Sequence, residues 1–252
     1  MEKGDIVRLE YEIWIKNPDG NILYATNKED LAKEHNIYDE NTRYGPEPFL
    51  IGVKRILEPV DEALMKANIG DEIEVEVPPE KAFGKRRPDL IEKIPLREFR
   101  KQGKVPMPGD RVVINGRVGT VIDIAAGRVI IDFNHPLADK TLIYKVKILE
   151  KIEDPIEKIR AIIEMEYPKE VENFEINIHE NKAVIKLPDR CKYDNDWERV
   201  KLFIASNILN YGGVTELDFI EHYEKPKKKE EVTETSKEEV KKDQEVSEVP
   251  KE

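Results

Sequence analysis

Chemistry by nucleophile and base would need a cysteine, serine or histidine held by partners, and this sequence supplies little for it. Cys191 is the single cysteine in 252 residues. No internal disulfide can form, and a reducing compartment is the simpler setting. A catalytic thiol would want a positioned histidine, none lies near in sequence, and Cys191 reads as a buried, inert thiol. His35, His135, His179 and His222 lie far apart and match no metal-ligand spacing, so no metal and no cofactor is expected. What remains is chemistry by apolar surface and by charge. Residues 85–131 hold eleven Lys and Arg (Lys85, Arg86, Arg87, Lys93, Arg97, Arg100, Lys101, Lys104, Arg111, Arg117 and Arg128) against five acids, a balance of +6 within a chain of net charge −11. The overall acidity disfavours a general nucleic-acid binder, while the local balance marks this segment as a separate object.

The elements flanking that segment can be read from hydrophobic period. Val7, Leu9, Tyr11, Ile13 and Ile15 alternate with Arg8, Glu10, Glu12 and Trp14, which predicts a strand with one apolar face and Tyr11 inward. Asn17-Pro18-Asp19-Gly20-Asn21 is a turn, Pro fixing φ and Gly accepting positive φ, so Ile22-Leu23-Tyr24 should return antiparallel. Residues 26–48 form a long polar excursion with a helical patch from Glu29 to His35, and Phe49-Leu50-Ile51 a short strand. Pro59 to Ala67 has Pro at a helix start, acids in the first turn and Val60, Ala63, Leu64 and Ala67 at helical spacing. Glu72 to Val77 alternates again until Pro78-Pro79 stops it. Thr141 to Glu150 alternates too, and its apolar face needs the earlier sheet to cover it. Inside the basic segment, Val112 to Ile114, Val118 to Ile124 and Val129 to Ile131 are strand-like, separated by Asn115-Gly116 and Ala126-Gly127 turns.

A further unit begins near Pro155. Ile156, Ile159, Ile162 and Ile163 mark a helix, Phe174 to Ile178 and Lys182 to Leu187 a hairpin, Trp197 to Leu209 a second helix and Val214 to Phe219 a last strand. From Glu224 onward 18 of 29 residues are charged and the only aliphatic residues are four valines, so a disordered tail is expected at 224–252. No apolar run reaches membrane-spanning length and Met1-Glu2-Lys3-Gly4-Asp5 does not open a signal peptide. With 38% charged residues, the composition suits a cytoplasmic chain with no membrane contact.

The run Gly20 to Tyr24, then Phe49-Leu50-Ile51-Gly52, Pro59 to Leu64, Ile69-Gly70-Asp71 and Val77-Pro78-Pro79-Glu80-Lys81-Ala82-Phe83-Gly84, resembles the FKBP-type peptidyl-prolyl isomerases. Asn134-His135-Pro136-Leu137-Ala138 with Thr141-Leu142 resembles their SlyD-like branch, in which an insert-in-flap module separates two halves of one domain, and the extra C-terminal unit fits the long archaeal members. The fold implied is α+β: an FKBP-like antiparallel sheet wrapped on a short helix (1–84 and 132–152), an inserted small β-domain (85–131) and a C-terminal α+β domain (155–223). The resemblance implies acceleration of X-Pro isomerisation in a dry pocket lined by Tyr11, Leu23, Phe49, Ile56, Leu57, Val60, Phe83, Leu137 and Tyr144. The backbone N–H of Leu57 is the implied donor to the bound peptide. Tyr24 stands where the family usually has an acid, and Phe83 where it usually has a tyrosine whose hydroxyl meets the ligand. Each change removes a polar handle worth about 0.5–1.5 kcal/mol, so slower isomerisation is expected.

For the insert, the resemblance implies a chaperone surface, with Ile91, Ile94, Leu96, Phe99 and Met107 as its apolar groove; the same side chains also suit the core of a small module. The partners implied are unfolded or nascent polypeptides with X-Pro bonds. The +6 charge admits attraction of acidic nascent chains, proximity to ribosomal RNA, or a solvated face. Two other roles fit: a holdase that binds Pro-containing peptides without useful catalysis, and an assembly role in which the C-terminal unit forms a homodimer.

Overall fold

The strand predicted first stands at the centre of the larger sheet. The computed structural model describes residues 1–101, 103 and 105–225, and in it β1 (Ile6–Ile15) pairs along its whole length with β9 (Leu142–Ile152), Ile6 opposite Ile152 and Ile15 opposite Leu142. The late alternating segment thus covers the early one. On the far side of β9 lies β4 (Glu72–Val77), antiparallel. The other edge of β1 is shared between two short strands: β3 (Glu47–Leu50) pairs with Ile6 to Leu9, and β2 (Ile22–Thr26) with Glu12 to Ile15. A β-bulge between Ile13 and Trp14 leaves Tyr24 without an opposite residue.

The switch of partner leaves a gap at Glu10 and Tyr11, and one loop residue fills it. Asn27, buried at 1% exposure, donates through Nδ2 to the Leu9 carbonyl (3.0 Å), while its Oδ1 accepts from the Tyr11 N–H (2.8 Å). The Thr26 hydroxyl donates to the Tyr11 carbonyl (2.7 Å). Side chains thus continue the ladder where no strand can, as buried backbone groups require. The excursion carrying them includes the predicted short helix, α1 (Glu29–Glu34).

Apolar residues of β1, β4 and β9 close over α2 (Glu58–Lys66), whose Val60 and Leu64 are fully buried. The predicted helix is displaced by one residue, because Leu57 caps it and Glu58 and Pro59 form its first turn. The strand expected at Phe49 to Ile51 likewise starts earlier, at Glu47, since register with β1 rather than local hydrophobicity decides its limits.

The insert is a four-stranded antiparallel sheet of order β5-β8-β7-β6, formed by β5 (Ile91–Pro95), β6 (Arg111–Ile114), β7 (Arg117–Ala125) and β8 (Arg128–Asp132), with α3 (Leu96–Lys101) against it. Its core holds four buried side chains, Phe99, Val121, Val129 and Ile131. Gly119 is required there: a Cβ would lie 2.6 Å from the Ile131 side chain. The stems of the insert are joined by Asn134, which accepts from the Arg87 N–H (2.8 Å) and donates to the Arg87 carbonyl (3.0 Å).

After β9 come α4 (Pro155–Glu166), β10 (Glu175–His179), β11 (Lys182–Lys186), α5 (Asn195–Tyr211) and β12 (Glu216–Ile220). The hairpin β10–β11 is extended by β12 parallel to β11. Asp154 caps α4 by accepting from the Glu157 N–H, and Asp194 caps α5 by accepting from that of Asp196. The core of this unit is continuous with the first sheet. Ile6, Leu50 and Ile152, from β1, β3 and β9, pack with Ile159, Ile162, Phe174, Trp197 and Ile204. Ion pairs rim the junction: buried Glu164 meets Arg8 and Arg43 (3.0 Å each), and Glu166 meets Arg55. Cys191 is fully buried in this core, and burial pushes its thiol up to about 11. The tail expected at 224–252 falls, from 226 onward, outside the described residues. No described helix is long and apolar enough to cross a membrane.

Candidate active site

The register of β1 and β9 fixes the floor and walls of the site. Tyr11 and Ile13 stand on the same face as Val7 and Leu9, opposite Val146 and Tyr144. Val60 reaches this face from α2 and Leu137 from the segment returning after the insert. Val60, Leu137 and Tyr144 are buried in one cluster, and Tyr11, Phe49, Ile56 and Leu57 pack against it half-exposed. Seven of the predicted side chains therefore converge on one apolar surface, the buried ones beneath and the half-buried ones at its mouth. Ile13 and Ala82 join the same cluster and were not singled out from the sequence. The signal for Ile13 was its place in the β1 alternation.

Three predicted residues lie differently. Leu23 is buried at 3% exposure but outside this cluster; it stands opposite Trp14, away from Ile13, because the bulge shifts the register of β2. Tyr24 is 45% exposed at the rim, near enough to Tyr144 to add to what burial does in raising that phenol. Phe83 is 37% exposed and stacks flat on His135, ring centroids 4.0 Å apart. The His135 Nδ1 accepts from the Leu137 N–H (3.1 Å), and the Gly84 carbonyl accepts from the Asp139 N–H (2.9 Å). The two ends of the interruption are thereby held together beside the site.

The loop before α2 is held by a residue the sequence marks only as a first-turn acid. Buried Asp61 accepts from the Gly52 N–H (2.8 Å) and the Lys54 N–H (3.0 Å), across a turn in which both residues have positive φ, +76° and +59°. This fixes the approach to Ile56 and Leu57. Among the described residues the Leu57 N–H donates to no protein acceptor, so one backbone donor is left free at the site's edge. Such a donor next to an apolar surface can hold a peptide carbonyl.

Electrostatically the site is an apolar surface with phenols around it. Burial pushes the Tyr11 hydroxyl up to about 12, with further contributions from the Glu47 carboxylate, Tyr144 and Tyr44. Burial raises Tyr144 as well. Both phenols stay neutral at physiological pH and can only exchange hydrogen bonds. Among the described residues no group of three His, Cys, Asp or Glu side chains is arranged to hold a metal ion.

The insert places its predicted residues on different sides. Phe99, named for a groove and equally suited to a core, is 4% exposed and belongs to the module's core, because α3 folds it onto β7 and β8. Ile94 and Leu96 pack half-buried against that core, and a cleft of about 260 Å³ opens between Ile94, Phe99, Val113 and Ile114. Ile91 lies three residues from Ile94 in β5, hence on the opposite face. Met107 is 64% exposed. Val113 and Val118 form an exposed cross-strand pair that the strand alternation could have flagged, and Ile122, at the β7 bulge, is exposed as well.

Similarity to known proteins accords with this geometry. Residues 92–137 match the family model described as "FKBP26, IF domain" and residues 155–224 the one described as "FKBP26_C-terminal". The chain is 34% identical over 148 residues to the short-type peptidyl-prolyl cis-trans isomerase of Methanocaldococcus jannaschii, spanning 59% of this chain and 92% of that protein. It is 30% identical over 131 residues to the FKBP-type peptidyl-prolyl cis-trans isomerase SlyD of Helicobacter pylori, spanning 50% of this chain and 69% of the relative. An FKBP-type 16 kDa peptidyl-prolyl cis-trans isomerase of Escherichia coli is 30% identical over 118 residues, spanning 44% and 78% of the two chains. With a half-buried apolar face assembled from both sides of an inserted module, and relatives matched over most of their length, the chain belongs to the FKBP-type peptidyl-prolyl cis-trans isomerases, in their SlyD-like branch.

Proposed function

We propose that this protein accelerates cis–trans isomerisation of X-Pro bonds in unfolded polypeptides, and that the insert at 85–131 holds the client. The observation that carries this reading is the apolar surface of Tyr11, Phe49, Ile56 and Leu57 over Val60, Leu137 and Tyr144, with the free Leu57 N–H at its edge. Rotation about a peptide bond meets a barrier of ~18–20 kcal/mol, and X-Pro bonds turn over in tens of seconds or longer. The twisted amide has lost resonance and is less polar than the planar one. A dry surface therefore favours it, and a donor holding a neighbouring carbonyl keeps the peptide in place. A 10⁴-fold acceleration needs only about 5.5 kcal/mol of such differential binding and no nucleophile. A protease-coupled assay on a prolyl tetrapeptide tests the reading directly, and Val60→Lys, which puts a charge on the pocket floor, should abolish the activity it detects.

Client capture by the insert is supported by Met107, Val113, Val118 and Ile122, exposed on a basic module. The basic charge also supports a position near ribosomal RNA; such docking would weaken steeply with salt, whereas apolar capture would survive it. A homodimer through the C-terminal unit is supported by Leu202, Phe203 and Leu209, exposed on one side of α5. Sedimentation of the wild type beside Leu202→Glu tests it.

A further inference from the structure

Strand register gives β3 two different faces. Phe49 lies opposite Val7 and Glu47 opposite Leu9, so both side chains share the face that carries Tyr11. Pro48 and Leu50 turn the other way, Leu50 into the core shared with the C-terminal unit. Beyond this edge lies a cleft of about 400 Å³, with one wall from β3 and its preceding loop (Arg43, Glu47, Phe49) and the other from the end of α4 (Glu164, Met165). Phe49 belongs both to this cleft and to the candidate active site. The cleft is thus continuous with the site and exists only because the C-terminal unit packs there.

The charges in it are nearly all committed. Glu164 is held by Arg8 and Arg43, and Arg55 is taken by Glu166. Glu47 is the exception: half-buried, it has no hydrogen bond or ion pair with any described residue. Its carboxyl is raised by burial, against the pull of Arg43 and with a push from Glu164. A half-buried carboxylate with no hydrogen-bonded partner can gain from a cation that arrives to pair with it. Its charge also reaches the Tyr11 phenol, which it helps to keep protonated, so it faces the same site.

We propose that Glu47 is the charge-reading residue of the peptide site, pairing with a Lys or Arg side chain that flanks the client's proline, in the cleft that the C-terminal unit closes against β3. The proposal rests on the peptide-binding reading above and goes beyond it by naming the class of client segment. The net charge of −11 favours encounter with basic segments in the same sense.

The test uses the full chain and three labelled peptides that differ only in one residue flanking the X-Pro bond: Lys, Leu or Glu. Binding is followed by fluorescence anisotropy and isomerisation on the same peptides. The wild type should prefer Lys over Glu roughly fivefold in Kd, the size of one modest ion pair, less at high salt. Glu47→Gln should bring the ratio close to one and Glu47→Lys should invert it, an outcome that misfolding cannot imitate. Glu180→Gln, which removes an exposed acid at the β10–β11 turn, should keep it. Turnover of the Leu peptide without any Lys preference, or a preference that survives both Glu47 variants, overturns this proposal and leaves the isomerase reading standing. A Glu47-dependent preference in binding with no turnover of any peptide does the reverse.

Discussion

The insert and the C-terminal unit are attached to the same sheet in opposite ways. The insert encloses four buried side chains of its own and is tied at its stems by Asn134 and by ion pairs such as Arg86 with Asp132 (2.6 Å). The C-terminal unit shares one cluster of eighteen buried residues with β1, β3 and β9 and places Glu164 under two arginines of the first domain. A module with a private core can be removed or replaced with little consequence for its host. A unit with a common core cannot, because each side leaves the other's apolar surface bare.

Truncation breaks or sharpens this contrast most strongly. A chain ending after Ile152 would expose Ile6, Leu50 and Ile152, each worth roughly 1.5–3 kcal/mol when buried, and would take Glu164 from Arg8 and Arg43 and Glu166 from Arg55. We expect it to aggregate or to unfold far below the full chain in a thermal melt, whereas a chain with 85–131 replaced by a short glycine linker should melt cooperatively near the parent. Equal stability of the two shortened chains would contradict the comparison. Asn27→Ala comes next: it leaves the Leu9 carbonyl and Tyr11 N–H unpaired in a buried gap, so the denaturant midpoint should fall by the equivalent of about 2–3 kcal/mol, with the insert unaffected.

The rim of the site has a smaller effect. Tyr24→Asp together with Phe83→Tyr should raise the isomerisation rate between about twofold and tenfold, as expected for one or two restored hydrogen bonds; an unchanged rate would mean the exposed rim does not touch the reacting amide. Acid bears on the C-terminal unit through one residue. Asp194 is held well below the usual carboxylate range by Lys169, the Asp196 N–H, Tyr167 and Arg190. A depressed folded-state pKa gives stability that is complete above the ordinary Asp value and is lost as pH falls through the folded one. Trp197 fluorescence should therefore report loosening of this unit below about pH 4, and Asp194→Asn should flatten that dependence. The smallest expected effect is on Cys191: fully buried and with its thiol raised, it should resist thiol reagents at pH 8 until the C-terminal unit unfolds.

What the sequence made legible follows the same division. Strict alternation in β1 and β9 identified two long central strands, and helical spacing at Val60 and Leu64 identified α2, because in each case one face is buried and the other wet. Tyr11, Tyr144 and Val60 lie on those faces; Phe49, Ile56, Leu57 and Leu137 came only from the family resemblance, because loops and a four-residue strand carry no such period. Leu23 could not be placed, since a bulge changes which way β2 points without changing its composition. Groove and core both stayed open for Phe99, because an aromatic in a short basic segment reads the same in either place. Asn27 and Asp61 look like any loop or first-turn polar residue until tertiary structure shows which backbone groups they satisfy. The shared core was hidden as well, because Ile6 and Ile152 sit at strand ends where alternation carries least information.

The central claim joins an isomerase face to a client-holding insert, and one comparison tests it: the full chain beside the chain lacking 85–131, each assayed on a short prolyl peptide and on an unfolded protein whose refolding waits on a proline. Both chains should accelerate the peptide to a similar extent, and only the full chain should accelerate refolding strongly. No acceleration of the peptide by the full chain, or equal loss of both activities on removing the insert, would contradict the account.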